Sequence, residues 1–140
     1  MNVLIKSVPS LCLASIAVAE PLLPDIIDFS LVTPERSVST PDADRLLAGQ
    51  PTQVANNFFS DSTEQFFAGR WESTPGRWKV RYTENEFCHI LAGRVRIEGV
   101  QGATHEFSQG DSFVVPAGFE GTWEVLETTM KLYAIFVSTR

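Results

Sequence analysis

Histidine and cysteine are scarce in this chain, two of each among 140 residues, and the scarcity removes whole classes of chemistry. A metal centre built on several imidazoles needs more ligands than His89 and His105 supply. A framework of disulfides is excluded as well, because Cys12 and Cys88 can form one pair at most. Basic clusters are missing: 11 Lys and Arg stand against 17 Asp and Glu, with no cationic run to neutralise phosphates, so nucleic acid is not an expected partner. Nor does any apolar run reach the roughly 18 uninterrupted residues that cross a bilayer, so no membrane partner is expected.

What is present divides the chain in two. Lys6 precedes an apolar stretch from Leu11 to Ala19, and Ala17-Val18-Ala19 has the form of a signal-peptidase site. Pro9 and Ser10 interrupt that stretch. The adopted reading is therefore a cytoplasmic N-terminal arm, with a cleaved signal peptide over residues 1–19 and a secreted or periplasmic protein as the alternative. Between Pro21 and Pro51 the text is rich in Pro, Ser and Asp, which predicts an extended arm with a short helical turn starting at Thr40 or Asp42 and stopping at Gly49. Residues 1–57 are assigned to this arm and residues 58–140 to a β-domain.

From Phe58 onward, eight strand-length runs alternate with turn signals such as Pro75-Gly76, Ala92-Gly93, Gln109-Gly110 and Ala117-Gly118. That spacing predicts an all-β sandwich or barrel. Period-two alternation assigns the faces: Trp78, Val80 and Tyr82 share one side and Lys79 and Arg81 the other, while Val95 and Ile97 oppose Arg94, Arg96 and Glu98. Glu86, Cys88 and Ile90 then share one face of their strand and Phe87, His89 and Leu91 the other. Both faces of that strand are largely apolar, so its outside is expected to be covered by the arm or by a second subunit, and a homodimer is expected. On the last strand Met130, Leu132, Ala134 and Phe136 offer an apolar inner face, which would leave Lys131 in solvent and Tyr133 at a surface.

Two segments carry a family resemblance. Glu86-Phe-Cys88-His-Ile-Leu-Ala-Gly93 resembles the end of the first cupin motif, and Gly110-Asp111 through Pro116-Ala-Gly118-Phe119-Glu-Gly121-Thr-Trp123 resembles the second. With Gly69-Arg-Trp71-Glu72, Pro75-Gly76-Arg-Trp78 and Lys131-Leu-Tyr133, the chain is similar to small cupins of the ureidoglycine aminohydrolase type, which are related to the cupins of ethanolamine utilisation. The resemblance implies a jelly-roll cupin barrel (RmlC-like), usually a homodimer. It also implies a metal position held by Glu, His and Gln side chains. Here Val80, Tyr82 and Gly121 stand at the histidine positions, and Glu86 matches the carboxylate. No metal and no other cofactor is therefore expected.

Glu86 becomes the sharpest residue. A carboxylate inside an apolar barrel is costly unless paired, hydrogen-bonded or protonated, and those conditions also suit a general acid or base. Glu86 and Tyr82 are the catalytic candidates, and Trp78, Cys88, Phe119, Trp123 and Lys131 the ligand-binding ones. Cys88 reads as an inert core thiol rather than a nucleophile, since a neighbouring carboxylate and apolar walls raise its pKa, and Trp78 reads as core rather than a ligand platform. The expected function is metal-independent binding of a small molecule. Alternatives are an enzyme on a ureide, amine or sugar acid with Glu86 as general base, and a structural or partner-binding barrel.

Overall fold

The computed structural model describes residues 22–138; the signal-peptide reading of residues 1–19, and Cys12 with it, lies outside them. Nine strands are formed among the described residues: β1 (Glu35–Ser39), β2 (Leu46–Gly49), β3 (Gln53–Ser60), β4 (Phe66–Ser73), β5 (Gly76–Arg81), β6 (Asn85–Gly99), β7 (Thr104–Ser108), β8 (Ser112–Val115) and β9 (Glu120–Phe136). All pairings are antiparallel, in the order β1-β3-β4-β9-β5-β2, with β6 pairing β9, β7 and β8. The sheet curls on itself as the all-β barrel expected, and no helix among the described residues is long and apolar enough to cross a membrane.

Two long strands produce the curl. The first half of β9 lies between β5 and the second half of β6, and its second half lies between β4 and the first half of β6. Between these halves the β6–β9 ladder shifts register at three points from Val125 to Lys131. Gly93 sits opposite this irregularity with φ +88°, where a Cβ would stand 2.3 Å from the Thr128 carbonyl oxygen. Ala92-Gly93 thus bends a continuous strand rather than ending one. Two pairs of the eight expected runs are therefore single strands, one pair joined in β6 and the other in β9.

Alternation places Trp78, Cys88, Ile90, Val95, Ile97, Val115, Trp123 and Val125 in one buried cluster. Arg94 and Arg96 point outward as expected, into ion pairs with Glu106, Glu124 and Glu127. The parity expected for the end of β9 is reversed. Lys131 and Tyr133 are buried, whereas Phe136 is 48 % exposed. Both faces of this strand carry apolar side chains, so apolarity alone does not select the inner one.

Much of the Pro-rich segment joins the sheet. β1, β2 and most of β3 precede residue 58, and Leu46 and Ala48 pair with β5. The helical turn expected near Asp42 is a single hydrogen-bonded turn, in which the Arg45 and Leu46 N–H groups donate to the Asp42 carbonyl. Phe29 stacks on Phe58 at 4.4 Å, while Leu22, Leu23 and Ile26 before it are exposed. Elsewhere the outer face stays bare: Phe66, Phe87, Val114 and Phe136 are each 41–58 % exposed.

Candidate functional site

A cavity of about 240 Å³ opens inside the sheet, walled by Trp71, Trp78 and Trp123 and by Tyr82 and Tyr133, with Glu86 and Lys131 as its charged groups. The groups converge from several strands. Glu86 leads the inward set of β6, Lys131 and Tyr133 come from β9, and Trp71 comes from β4. Tyr82 follows β5 and is fixed by its own backbone, its N–H donating to the Phe119 carbonyl and its carbonyl accepting from Gly118 N–H.

The centre of the site is an ion pair. Lys131 Nζ donates to Glu86 Oε2 at 2.8 Å, and the two side chains are 5 % and 6 % exposed. Lys131 Nζ also lies 3.5 Å from Cys88 Sγ, 4.4 Å from the Trp123 ring centroid and 4.7 Å from that of Trp71. An ammonium between two indole faces gains cation–π attraction where water is excluded. Burial, the largest single influence, would lower the Lys131 pKa, but the charge and hydrogen bond of Glu86 together with those of Cys88 outweigh it and hold the value above 10.5. The ammonium is therefore the working form.

The neighbouring groups are proton-bearing. Burial, and then the Glu86 carboxylate, hold the Tyr82 phenol well above its ordinary pKa of 10. Burial likewise pushes the Cys88 thiol up to about 12, against the pull of Lys131. An inert thiol and a phenol that stays a donor follow. Tyr133 donates its hydroxyl to Asn57 Oδ1 at 2.9 Å, and Trp71 Nε1 donates to Gln53 Oε1 at 3.4 Å. Trp123 Nε1 is buried without a partner.

The structure thus brings together Tyr82, Glu86, Cys88, Trp78, Trp123 and Lys131 of the residues singled out in the sequence. It does not bring Phe119, which packs edge-on to Tyr82 at 6.3 Å and lines other surfaces. His105 is also elsewhere, exposed and stacked on Phe107. Tyr133, Trp71 and Gln53 are additions. Tyr133 could have been found by extending the odd-numbered parity of Trp123 along β9, whereas Gln53 gave no signal in its Pro-rich setting.

The residues do not fit a cupin metal centre. Val80 and Gly121 offer no donor, and no group of three His, Cys, Asp or Glu side chains converges among the described residues. Glu86 already carries a cation, the Lys131 ammonium. At Gly121 a Cβ would stand 2.1 Å from the Glu98 carbonyl oxygen, so no side chain could be restored there without moving the ladder.

Comparison with known proteins bears out the fold. The EutQ-like cupin domain family matches residues 61–133. A Pseudomonas syringae protein of unknown function from the DUF861 family is 26 % identical, with TM-score 0.67, the match covering 75 % of this chain and 45 % of that one. The match therefore spans less than half of that protein's length. The Clostridium difficile EutQ protein (17 % identity, TM-score 0.58, 77 % of this chain and 90 % of that) and a putative ethanolamine utilization protein Q from Salmonella typhimurium (13 %, 0.55, 74 % and 97 %) share the fold. No protein of curated function matches the sequence. With over half of its length matched by the family, and its fold shared with solved members, this chain belongs to the EutQ-like cupin domain family.

Proposed function

We propose that this protein is a metal-independent small-molecule-binding cupin whose ligand occupies the cavity around Lys131 and Glu86. The observation that carries the reading is the pair itself. A buried ion pair contributes little net stability compared with apolar packing of equal volume. Here it is aimed into a cavity rather than closed off, between aromatic walls suited to a small organic molecule. The ammonium supplies at this place the positive charge that a metal supplies in metal-bearing cupins.

A second reading is an enzyme on a ureide, amine or sugar acid, in line with the resemblance to the ureidoglycine aminohydrolase type. It is favoured by Tyr82 standing beside Glu86 as a protonated phenol. Its difficulty is the ligand set, of which this chain keeps Glu86 alone. A homodimer formed through the bare outer face accompanies either reading, supported by Phe87, Val114 and Phe136.

The test is elemental analysis of purified protein together with a metabolite screen read by melting temperature, with and without chelator. Substoichiometric metal, no loss of melting temperature in chelator and a ligand-induced rise abolished by Lys131→Met are expected. One tightly held ion per chain, with unfolding on chelation, would overturn the metal-independent reading.

A further inference from the structure

Residues 22–27 carry apolar side chains into solvent: Leu22 is 96 %, Leu23 88 % and Ile26 86 % exposed. They join no ladder among the described residues, and the Ile26 N–H turns to its own neighbour, Asp25, whose Oδ1 accepts it at 2.7 Å. Such a segment gains little from its own fold and keeps backbone groups free for another sheet. Elsewhere in the fold stands an edge that matches it. β8 pairs with β6 alone, so every second N–H and C=O along its other edge faces no strand. Between β7 and β8 lies an apolar slot of about 300 Å³, lined by Ile97, His105, Phe107, Phe113, Val114 and Phe119. A small ligand needs convergent polar groups to orient it, and His105 is the polar side chain of this lining. The aliphatic side chains of a paired strand need none.

We propose that residues 22–27 of one copy add as a strand to the free edge of β8 in a second copy, setting leucine and isoleucine side chains in the slot between β7 and β8. The proposal rests on the reading of the bare outer face as a dimer interface. The slot is continuous with that face through Val114, which lines the slot and is 58 % exposed. A second copy is the occupant for two reasons. The root of the segment is tied to its own β3 by the Phe29–Phe58 stack, and β4, β9 and β6 stand between β3 and β8, roughly 19 Å at the usual strand spacing. A two-fold axis also makes the exchange reciprocal, each copy giving one segment and receiving one, so the contact closes at two. Pro24 favours that closure, because a strand lacking this N–H is a poor template for a third.

A nitroxide spin label on Asp25→Cys, in the full chain with Cys12→Ser, tests this; Asp25 is exposed, and Cys88 is fully buried and stays unlabelled. Spin-labelled copies without nitrogen-15 are left to exchange with nitrogen-15 copies without the label, so any broadened amide belongs to a different chain from the label. Broadening at residues 112–115 is expected in a sample that sediments as a dimer. Leu23→Asp with Ile26→Asp should abolish it and weaken the dimer about tenfold or more, without lowering the melting temperature of the monomer, since both side chains are in solvent within one chain. A dimer without that broadening overturns the strand exchange and leaves the outer-face dimer standing. Broadening confined to samples in which label and nitrogen-15 share one chain puts the segment on its own sheet and overturns the exchange. A monomer overturns the dimer and the inference together. An unchanged dissociation constant in the double variant overturns the role given to Leu23 and Ile26.

Discussion

Gly69 lies directly beneath Tyr133 across the β4–β9 ladder, so closely that a Cβ at Gly69 would stand 2.5 Å from the Tyr133 hydroxyl and 2.3 Å from the Asn56 carbonyl oxygen. The missing side chain lets the phenol lie flat and reach Asn57. Gly69→Ala must displace backbone as well as ring, and should cost about 1–3 kcal/mol, as overpacking does. Tyr133→Phe removes only the hydroxyl and should cost nearer 1 kcal/mol. Urea denaturation separates the two; equal effects would mean that the glycine is not there to make room.

The Lys131–Glu86 pair predicts strong coupling. Removing either partner leaves an uncompensated buried charge, so Lys131→Met and Glu86→Gln should each destabilise by about 3–5 kcal/mol. The double variant should recover a large part of the loss, because it buries no charge. A double-mutant cycle reads this as an interaction energy. Additive single effects would show that the two groups act independently.

Stability should be flat across the neutral range and fall at both ends, for reasons of opposite sign. Lys131 has a raised pKa in the folded state, so its contribution is complete below its ordinary value of 10.5 and is lost as pH rises through the higher folded value. Asp61 behaves oppositely. Hydrogen bonds from the Thr63 hydroxyl first, and then the Phe66 N–H, hold its carboxyl at about 2, down from 3.8. Its contribution is present above 3.8 and lost as pH falls toward 2. Asp61→Asn should therefore flatten part of the acid limb and leave the alkaline limb alone; a shifted alkaline limb would contradict the assignment.

Cys88 should be chemically silent in the native state. With its thiol pushed to about 12 and its side chain fully buried, almost no thiolate exists at pH 8 to attack a reagent. In a Cys12→Ser background, labelling by maleimide at that pH should be slow and should become fast in denaturant. Rapid native labelling would reopen Cys88 as a nucleophile.

Much of the barrel was legible because alternation is a local property. Trp78, Val80 and Tyr82 opposite Lys79 and Arg81, and Val95 and Ile97 opposite two arginines, assign their faces without reference to any other strand. The end of β9 was not legible in this way. Met130, Leu132, Ala134 and Phe136 are as apolar as any core run. The residue that decides the face is Glu86, 45 positions away in the chain. A charged residue can be the inward one when its partner lies on the neighbouring strand, and no window along the sequence contains both. Gln53 was hidden for a different reason: turn-rich composition describes how the chain enters and leaves β2 and β3, not the ladder bonds that hold them.

That apolar outer set on β9 carries the last prediction. Ala134 pairs with Phe87, Phe87 with Val114, and Phe136 with Phe66, so the exposed side chains form one continuous patch across four strands. Large bare patches of this kind mark contact surfaces. The described part of the N-terminal segment places Phe29 on Phe58 rather than on this patch. The protein should therefore sediment as a dimer whose interface buries more than about 1,000 Å² of total surface. Phe87→Glu with Phe136→Glu should give a folded monomer, because both side chains point away from the core. A wild-type monomer at micromolar concentration would sink the dimer, and a double variant that unfolds would mean that the patch packs within the chain.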